Sequence, residues 1–140
     1  MRLVLDTNVV VSGLLWSSAP SQLLVAAEVG EIDLFTSRPL LVELSGVLAR
    51  SKFARAIEAV GLTHNVLVLS YAELAALVVP ASIPPTIAAD LSDDQVLACA
   101  VAAQADFIVS GDKHLHSLGG SYEGVRIVSP AEAVRLLEAL

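Results

Sequence analysis

The sequence predicts an α/β fold, a three-layer α/β/α sandwich around a parallel sheet, formed by one domain that covers residues 1–140. Strand-like apolar runs alternate with helical patterns from end to end, as a parallel sheet with crossover helices requires. Apolar residues make up 55% of the chain and charged residues 16%, and 140 residues are enough to bury a substantial core. This balance excludes a disordered chain.

The first strand is predicted over 2–11, RLVLDTNVVV, with a polar break at Asp6 between two apolar runs. A helix is predicted next, over 21–30, because its leucines and alanines recur at helical spacing. Gly30 ends this helix, since glycine is the usual residue just beyond a helix C-terminus.

The second strand is predicted over 32–37, IDLFTS. Ser37 and Pro39 then mark a helix start, because serine is a favoured N-cap and proline fits the first helical turn. This helix runs to about Arg50, and a further short helix covers 52–61.

The segment 63–79 is ambiguous, because NVLVLS alone resembles a strand, but the spacing of its apolar residues as a whole favours a helix. The two prolines of SIPP, 82–85, require a loop. Ser92 and Gln95 have the spacing of a capping box, which begins a helix over 96–103.

Two more strands and a helix complete the pattern. FIVSG, 107–111, and VRIVS, 125–129, are predicted as buried strands. Ser129 and Glu132 form a second capping box around Pro130, which begins the last helix, AEAVRLLEAL.

Charge and hydropathy exclude several classes of protein. The formal net charge is −7, which excludes a nucleic-acid coat protein with a broad basic face but not an enzyme that meets nucleic acid through metal ions. Mean hydropathy is +0.71, yet the longest apolar run, 96–103, is less than half a bilayer span. No signal peptide is visible and the lone Cys99 has no partner for a disulfide, so we expect a cytoplasmic protein that does not bind a membrane. The surplus of apolar residues indicates a patch for a partner or a second copy.

Four carboxylates occupy positions where solvation alone explains an acid poorly. They are Asp6, which ends LVL; Glu43, on an apolar helical face between Leu40 and Val47; Asp94, at the start of the helix over 96–103; and Asp112, after FIVSG. The carboxyl ends of parallel strands and the amino ends of the connecting helices share one edge of a sheet, so we expect the four to converge there. Converging carboxylates repel one another unless cations lie between them, and Mg²⁺ and Mn²⁺ prefer such oxygen ligands.

Residues near these acids have an ordinary interpretation beside a functional one. Asp93 gains about 0.3–1 kcal/mol from the helix dipole alone, and otherwise helps Asp94 or contacts a second ion. Asn8 is placed to orient a carboxylate or a water beside Asp6. The ordinary interpretation of the basic residues near the acids is that they are solvent-exposed side chains between two helices. If the acids form the active site, the same residues would bind the phosphates of the substrate. They are Arg38, Arg50, Lys52 and Arg55.

One tryptophan and two histidines are further candidates for a functional role. Trp16 either stacks on a base or fills a partner's groove, or else it packs against the edge of the sheet. His114 and His116 resemble a metal-binding pair, but a zinc site usually has more histidine or cysteine ligands, so loop histidines are the favoured interpretation.

Together these motifs resemble those of the PIN-domain ribonucleases, a family that includes the VapC-type toxins of bacterial toxin–antitoxin pairs. The likeness covers, in order, LVLDTNVVVSGLL, RPLLVELSGVLARSKF, DLSDDQVLACAVAAQADFIVSGDKHL and VRIVSPAEAV. The resemblance implies a five-stranded parallel sheet, endonucleolytic cutting of RNA, an antitoxin segment across the acidic pocket and a homodimer. It also implies a Mg²⁺ or Mn²⁺ site made by Asp6, Glu43, Asp94 and Asp112.

The chain departs from the family pattern at His114, where close relatives often carry another acid, and at Leu91, where proline is common. The implied mechanism is metal-ion hydrolysis that leaves a 5′-phosphate and a 3′-hydroxyl. One ion lies among the three aspartates of the set, and a second lies near Glu43.

Two alternatives remain open. A haloacid-dehalogenase-like phosphatase would use Asp6 as a covalent nucleophile, but that family needs acids where this chain has Asn8 and His116. A degenerate PIN fold kept only for binding a partner is the non-enzymatic alternative. The presence of all four acids counts against it.

Overall fold

A computed structural model describes residues 1–86 and 91–140. Its elements are β1 Arg2–Leu5, α1 Thr7–Leu15, α2 Ala19–Glu28, β2 Asp33–Thr36, α3 Arg38–Leu48, α4 Ala54–Ala59, α5 His64–Leu74, β3 Ala76–Leu77, α6 Leu91–Ala103, β4 Phe107–Val109, α7 Lys113–His116, β5 Ser121–Tyr122, β6 Val125–Val128 and α8 Pro130–Glu138. A turn of 3₁₀ helix, Ser51–Phe53, precedes α4.

The strands form a sheet in the order β3-β2-β1-β4-β6-β5, with β1 and β4 at its centre. The first five strands of this order are parallel, and β5 pairs antiparallel with β6. The predicted fold class is confirmed. The short β5 was not predicted, because two residues are too few to give a periodic signal.

Helices cover both faces of the sheet. Leu3 and Leu5 of β1 pack in one core cluster with residues of α1, α2, α5 and α8, whereas Val4 packs in a second cluster with residues of α6. Successive strand residues point to opposite faces, so the two clusters are the two sides of a three-layer sandwich. The α3 helix joins them, since Leu40 belongs to the second cluster and Leu44 to the first.

The first strand is shorter than the sequence predicts. It ends at Leu5, and the valines that were assigned to it lie in α1. Asp6 is the N-cap of α1 and its Oδ1 accepts a hydrogen bond from the backbone N–H of Thr7, 2.8 Å away. Val10 and Val11 are buried in α1, so tertiary packing overrides the strand preference of a valine run.

Three other predicted helix boundaries agree with the structure. Gly30 has φ +82° just beyond α2, the left-handed conformation that favours glycine there. Ser37 accepts a hydrogen bond from the Leu40 N–H, and Ser129 and Glu132 form their capping box. The helix α6 begins at Leu91, five residues before the predicted start at Val96, so Ser92 lies inside the helix and its predicted position as the N-cap is wrong.

The ambiguous segment is a helix only in its first part. The α5 helix ends at Leu74, and β3 follows as the edge strand beside β2. Within the described residues, no single helix is long and apolar enough to cross a membrane. The helices α1 and α2, which bend by 85° at their junction, reach that length and composition only as a pair.

Candidate metal centre

Asp6 lies at the carboxyl end of the central strand β1, at the edge of the sheet where the parallel strands end. Its carboxylate is buried, and its Oδ2 accepts a hydrogen bond of 2.8 Å from the Ser110 hydroxyl. Ser110 follows β4, whose Val109 is in register with Leu5, so the pairing of the two central strands sets Asp6 and Ser110 side by side. The carboxylate is therefore fixed through both oxygens.

Asp112 is connected to Asp6 through the same serine. The fully buried Ser110 hydroxyl accepts a hydrogen bond of 2.9 Å from the Asp112 N–H, and the ring Nε2 of His116 lies 2.6 Å from the Ser110 carbonyl oxygen. Asp112 caps α7, because its Oδ1 accepts a hydrogen bond of 2.7 Å from the His114 N–H. Ser110 was not predicted from the sequence, although a small hydroxyl residue directly after a buried strand is a signal for such a role.

Asp93 and His114 complete a three-residue group with Asp112. Asp93 lies in the first turn of α6 and is only 4% exposed. The Nδ1 of His114 is 3.6 Å from Oδ1 of Asp112 and 4.0 Å from Oδ2 of Asp93. Ligand atoms of the three residues lie within 4.8 Å of one another. We call Asp6 together with this group the acidic edge.

Asp94, the acid favoured by the sequence analysis, faces a different neighbour. Both of its carboxylate oxygens accept from the Thr86 N–H, at 3.3 and 3.1 Å, beside the segment 81–86. Successive helical residues point about 100° apart, so Asp93 and Asp94 cannot face the same neighbour equally. The ligand role of Asp94 stays a prediction.

Glu43 lies on α3, which packs against α1 and α6. Its side chain is half-buried, and Leu40 and Val47 on the same face are buried, which agrees with the predicted apolar setting. The helices α1 and α6, two of those that pack against α3, have the carboxylates of Asp6 and Asp93 at their amino ends. A metal role for Glu43 stays a prediction.

The residues predicted to position the substrate lie in two groups, one at each end of α3. Arg38 is exposed at its amino end and Asn8 is exposed in the first turn of α1, both near the acidic edge. The other three lie beyond the carboxyl end of α3, about 16 Å away along the helix axis. These are Arg50, Lys52 and Arg55, all exposed.

Two aromatic rings accompany the distant basic residues. Trp16, which follows α1, is 50% exposed, and its ring centroid lies 6.2 Å from that of Phe53. The Nζ of Lys52 lies 5.1 Å from the Phe53 centroid, a cation–π geometry. We call Trp16 and Phe53, with the three basic residues 50, 52 and 55, the basic corner.

Three donors of the acidic edge, those of Asp93, Asp112 and His114, fit a divalent cation, and Asp6 is joined to them through Ser110. Carboxylate oxygens and imidazole nitrogens bind such ions at about 2.1 Å, so two ligands of one ion are at most about 4.2 Å apart. The measured separations of 3.6 and 4.0 Å satisfy this limit. Cys99 offers no alternative nucleophile, because burial raises the pKa of its thiol to about 12.

Comparison with known families agrees with this geometry. A family model described as a PIN domain matches residues 2–114, which include every residue of the acidic edge. PIN domains are nucleases that act on RNA and commonly depend on divalent metal ions. A comparison with curated proteins gave no match.

Proposed function

Because the chain belongs to the PIN-domain family, we propose that it is a Mg²⁺- or Mn²⁺-dependent endoribonuclease. The observation that carries the proposal is the grouping of Asp93, Asp112 and His114 beside Asp6 at one end of the parallel sheet. Asp6, Glu43, Asp94 and Asp112 are the proposed metal-binding and catalytic acids, with Asp93 added by its position. A site made from several acids in a protein of net charge −7 repels a phosphodiester until cations neutralise it.

A divalent ion bound at the acidic edge would supply hydroxide from a bound water and polarise the scissile phosphate. The protein's own contribution is orientation. The Ser110 hydroxyl and the Thr7 N–H hold the two oxygens of Asp6, so its carboxylate does not have to reorganise during the reaction. Asp112 is held by the capping of α7 in the same way.

The basic corner supports an extended single-stranded RNA as the substrate. Three of the eight lysines and arginines of the chain lie there beside a half-exposed tryptophan, the combination that binds phosphates and stacks bases. A ligand that reaches both ends of α3 extends over about 16 Å, which an RNA strand does and a small phosphomonoester does not. Asn8 and Arg38 are proposed to position the strand near the acids.

We further propose where the protein acts in the cell and which partners it binds. Val42 on α3 and Leu69 on α5 are 66% and 63% exposed, on helices that pack together. Apolar side chains on adjoining helices suit a homodimer or a cognate antitoxin, and we propose that the chain is the toxin of a toxin–antitoxin pair in the cytoplasm.

We also propose that residues 1–140 form one PIN-like domain. The family match ends at residue 114, but β6 pairs with β4 and α8 packs on α2, so the last segment completes the same sheet and core. Limited proteolysis that releases a stable fragment near residue 114 would contradict this proposal.

The test is RNA cleavage by the purified protein with Mg²⁺ or Mn²⁺, and then with EDTA. We expect metal-dependent endonucleolytic products that carry a 5′-phosphate. Asp6→Asn should reduce the rate at least about a hundredfold, because it removes a charge that holds the ion. Asp33→Asn, an exposed acid at the start of β2, is the matched control and should leave the rate unchanged.

The two alternatives predict different outcomes of the same assay. Turnover of a small phosphomonoester without RNA cleavage would support the phosphatase. Metal binding with neither activity would support a binding module.

A further inference from the structure

We infer that His114 is a nitrogen ligand of the metal site and shifts its selectivity from Mg²⁺ towards Mn²⁺. The inference rests on the proposed metal-dependent function, and it concerns which ion this chain prefers. His114 contributes a nitrogen donor beside two carboxylates, so its chemistry distinguishes this site from a purely acidic one.

The position of the imidazole carries the first step. Its Nδ1 lies between two carboxylates, 3.6 Å from Oδ1 of Asp112 and 4.0 Å from Oδ2 of Asp93. Both separations are below about 4.2 Å, the largest distance between two donors that bind one ion at about 2.1 Å. The ligand atoms of all three residues lie within 4.8 Å of one another, so two oxygens and one nitrogen surround one small space.

The backbone around His114 is fixed while its ring stays accessible. Asp112 accepts from the His114 N–H at 2.7 Å, and the Ser117 hydroxyl donates to the His114 carbonyl oxygen at 2.6 Å. The side chain is 43% exposed, so an ion reaches it from solvent. Fixed backbone on both sides limits the reorganisation that binding requires.

The other histidines of the chain do not occupy this place. His116, the last residue of α7, has another neighbour, since its Nε2 lies 2.6 Å from the Ser110 carbonyl oxygen. His64 begins α5 and lines a separate cavity beside Leu62. His114 is therefore the imidazole that the fold brings to the carboxylates of Asp93 and Asp112.

Ligand chemistry gives the direction of the effect. Mg²⁺ is a hard ion that favours oxygen ligands, whereas imidazole nitrogen suits transition metals. Replacing one carboxylate by an imidazole also removes one negative charge, which weakens Mg²⁺ binding without a compensating gain in ligand preference. The ratio of the Mg²⁺ Kd to the Mn²⁺ Kd should therefore exceed that of an all-carboxylate variant.

The experiment measures metal binding and coordination without RNA. Calorimetric titration with Mn²⁺ and with Mg²⁺ gives the ratio of the two Kd values for the wild type, His114→Asp and the control His64→Asn. We expect the ratio to fall about tenfold or more in His114→Asp and to stay unchanged in the control. Pulsed electron paramagnetic resonance of bound Mn²⁺ should show coupling to ¹⁴N in the wild type and in the control, but not in His114→Asp.

The outcomes separate this inference from the proposed function. Mn²⁺ bound to the wild type without ¹⁴N coupling, or coupling that persists in His114→Asp, overturns the role of His114 and leaves the metal site standing. Failure of the wild type to bind Mn²⁺ overturns both. The wild-type spectrum alone decides the question if His114→Asp does not fold.

Discussion

The acidic edge and the basic corner lie at opposite ends of the same two helices, α1 and α3, and they are built in different ways. At the acidic edge Asp6 and Ser110 are buried and hydrogen-bonded at 2.8 Å. At the basic corner Trp16 is half exposed, and its ring centroid lies 6.2 Å from that of Phe53. The contrast supports the proposed roles, with a pre-organised catalytic site at one end and an adaptable surface for the substrate at the other.

The largest effect expected from this comparison concerns the two neighbouring acids of α6. Asp93 approaches His114, whereas Asp94 accepts from Thr86. We expect Asp93→Asn to weaken Mn²⁺ binding about a hundredfold, because Asp93 lies beside His114, and Asp94→Asn to weaken it about tenfold, because the Asp94 carboxylate is also held by the Thr86 N–H. Calorimetric titration of both variants measures this. A larger loss in Asp94→Asn would restore the assignment that the sequence favoured.

A smaller effect should follow from loss of the serine that joins the acidic edge. In Ser110→Ala the buried oxygen of Asp6 loses its donor and the Asp112 N–H loses its acceptor. We expect the free energy of unfolding to fall by about 1–3 kcal/mol, with a parallel loss of metal affinity. Chemical denaturation measures the change, and the exposed Ser70→Ala is the matched control. Unchanged stability would mean that the acidic edge is not pre-organised by Ser110.

Changes at the basic corner should affect binding rather than chemistry. Trp16→Leu keeps an apolar contact with Phe53 but removes the stacking surface, at a cost of about 1 kcal/mol per base. We therefore expect KM for RNA to rise about fivefold, with kcat and Mn²⁺ affinity unchanged. Lys52→Ala should act in the same direction and reduce the salt dependence of binding.

The control for the basic corner uses a second exposed cation on an aromatic ring. The Cζ of Arg126, in β6, lies 5.2 Å from the ring centroid of Phe107, in β4. Neither strand belongs to the basic corner. Arg126→Ala should leave KM unchanged. An equal rise in KM for Arg126→Ala and Lys52→Ala would mean that RNA is attracted by general charge and not by the basic corner.

The smallest effect concerns Glu132 of α8, which lies outside both the acidic edge and the basic corner. The backbone N–H and the side chain of Ser129 at the start of α8 hold the pKa of Glu132 below its ordinary value. A lowered folded pKa means that the charge of Glu132 stabilises the fold at neutral pH, and this stabilisation is lost as the pH falls. Glu132→Gln should lower Tm at pH 7, and the difference should shrink as the pH falls, whereas a pH-independent difference would contradict the charge effect.

The features that could be predicted from the sequence are those set by local pattern and strand polarity. Asp6 and Asp112 follow apolar runs, and parallel strands bring such positions to one edge whatever the details of packing. The buried neighbours of Glu43 followed likewise from helical spacing.

The features that the sequence did not reveal depend on register and rotation. Ser110 reaches Asp6 only because Leu5 pairs with Val109, and no local signal contains that pairing. The choice between Asp93 and Asp94 depends on how α6 is rotated about its axis. His114 was set aside because other nitrogen donors were sought, whereas its structural neighbours are two carboxylates.

The central claim is that acids distant in sequence form one cation site in the folded protein. Thermal unfolding in millimolar Mn²⁺ or Mg²⁺ tests it most directly, because an ion that binds only the folded state must stabilise it. We expect the wild-type Tm to rise with metal concentration and the rise to be reduced in Asp112→Asn. A wild-type Tm that does not respond to either ion would contradict the claim.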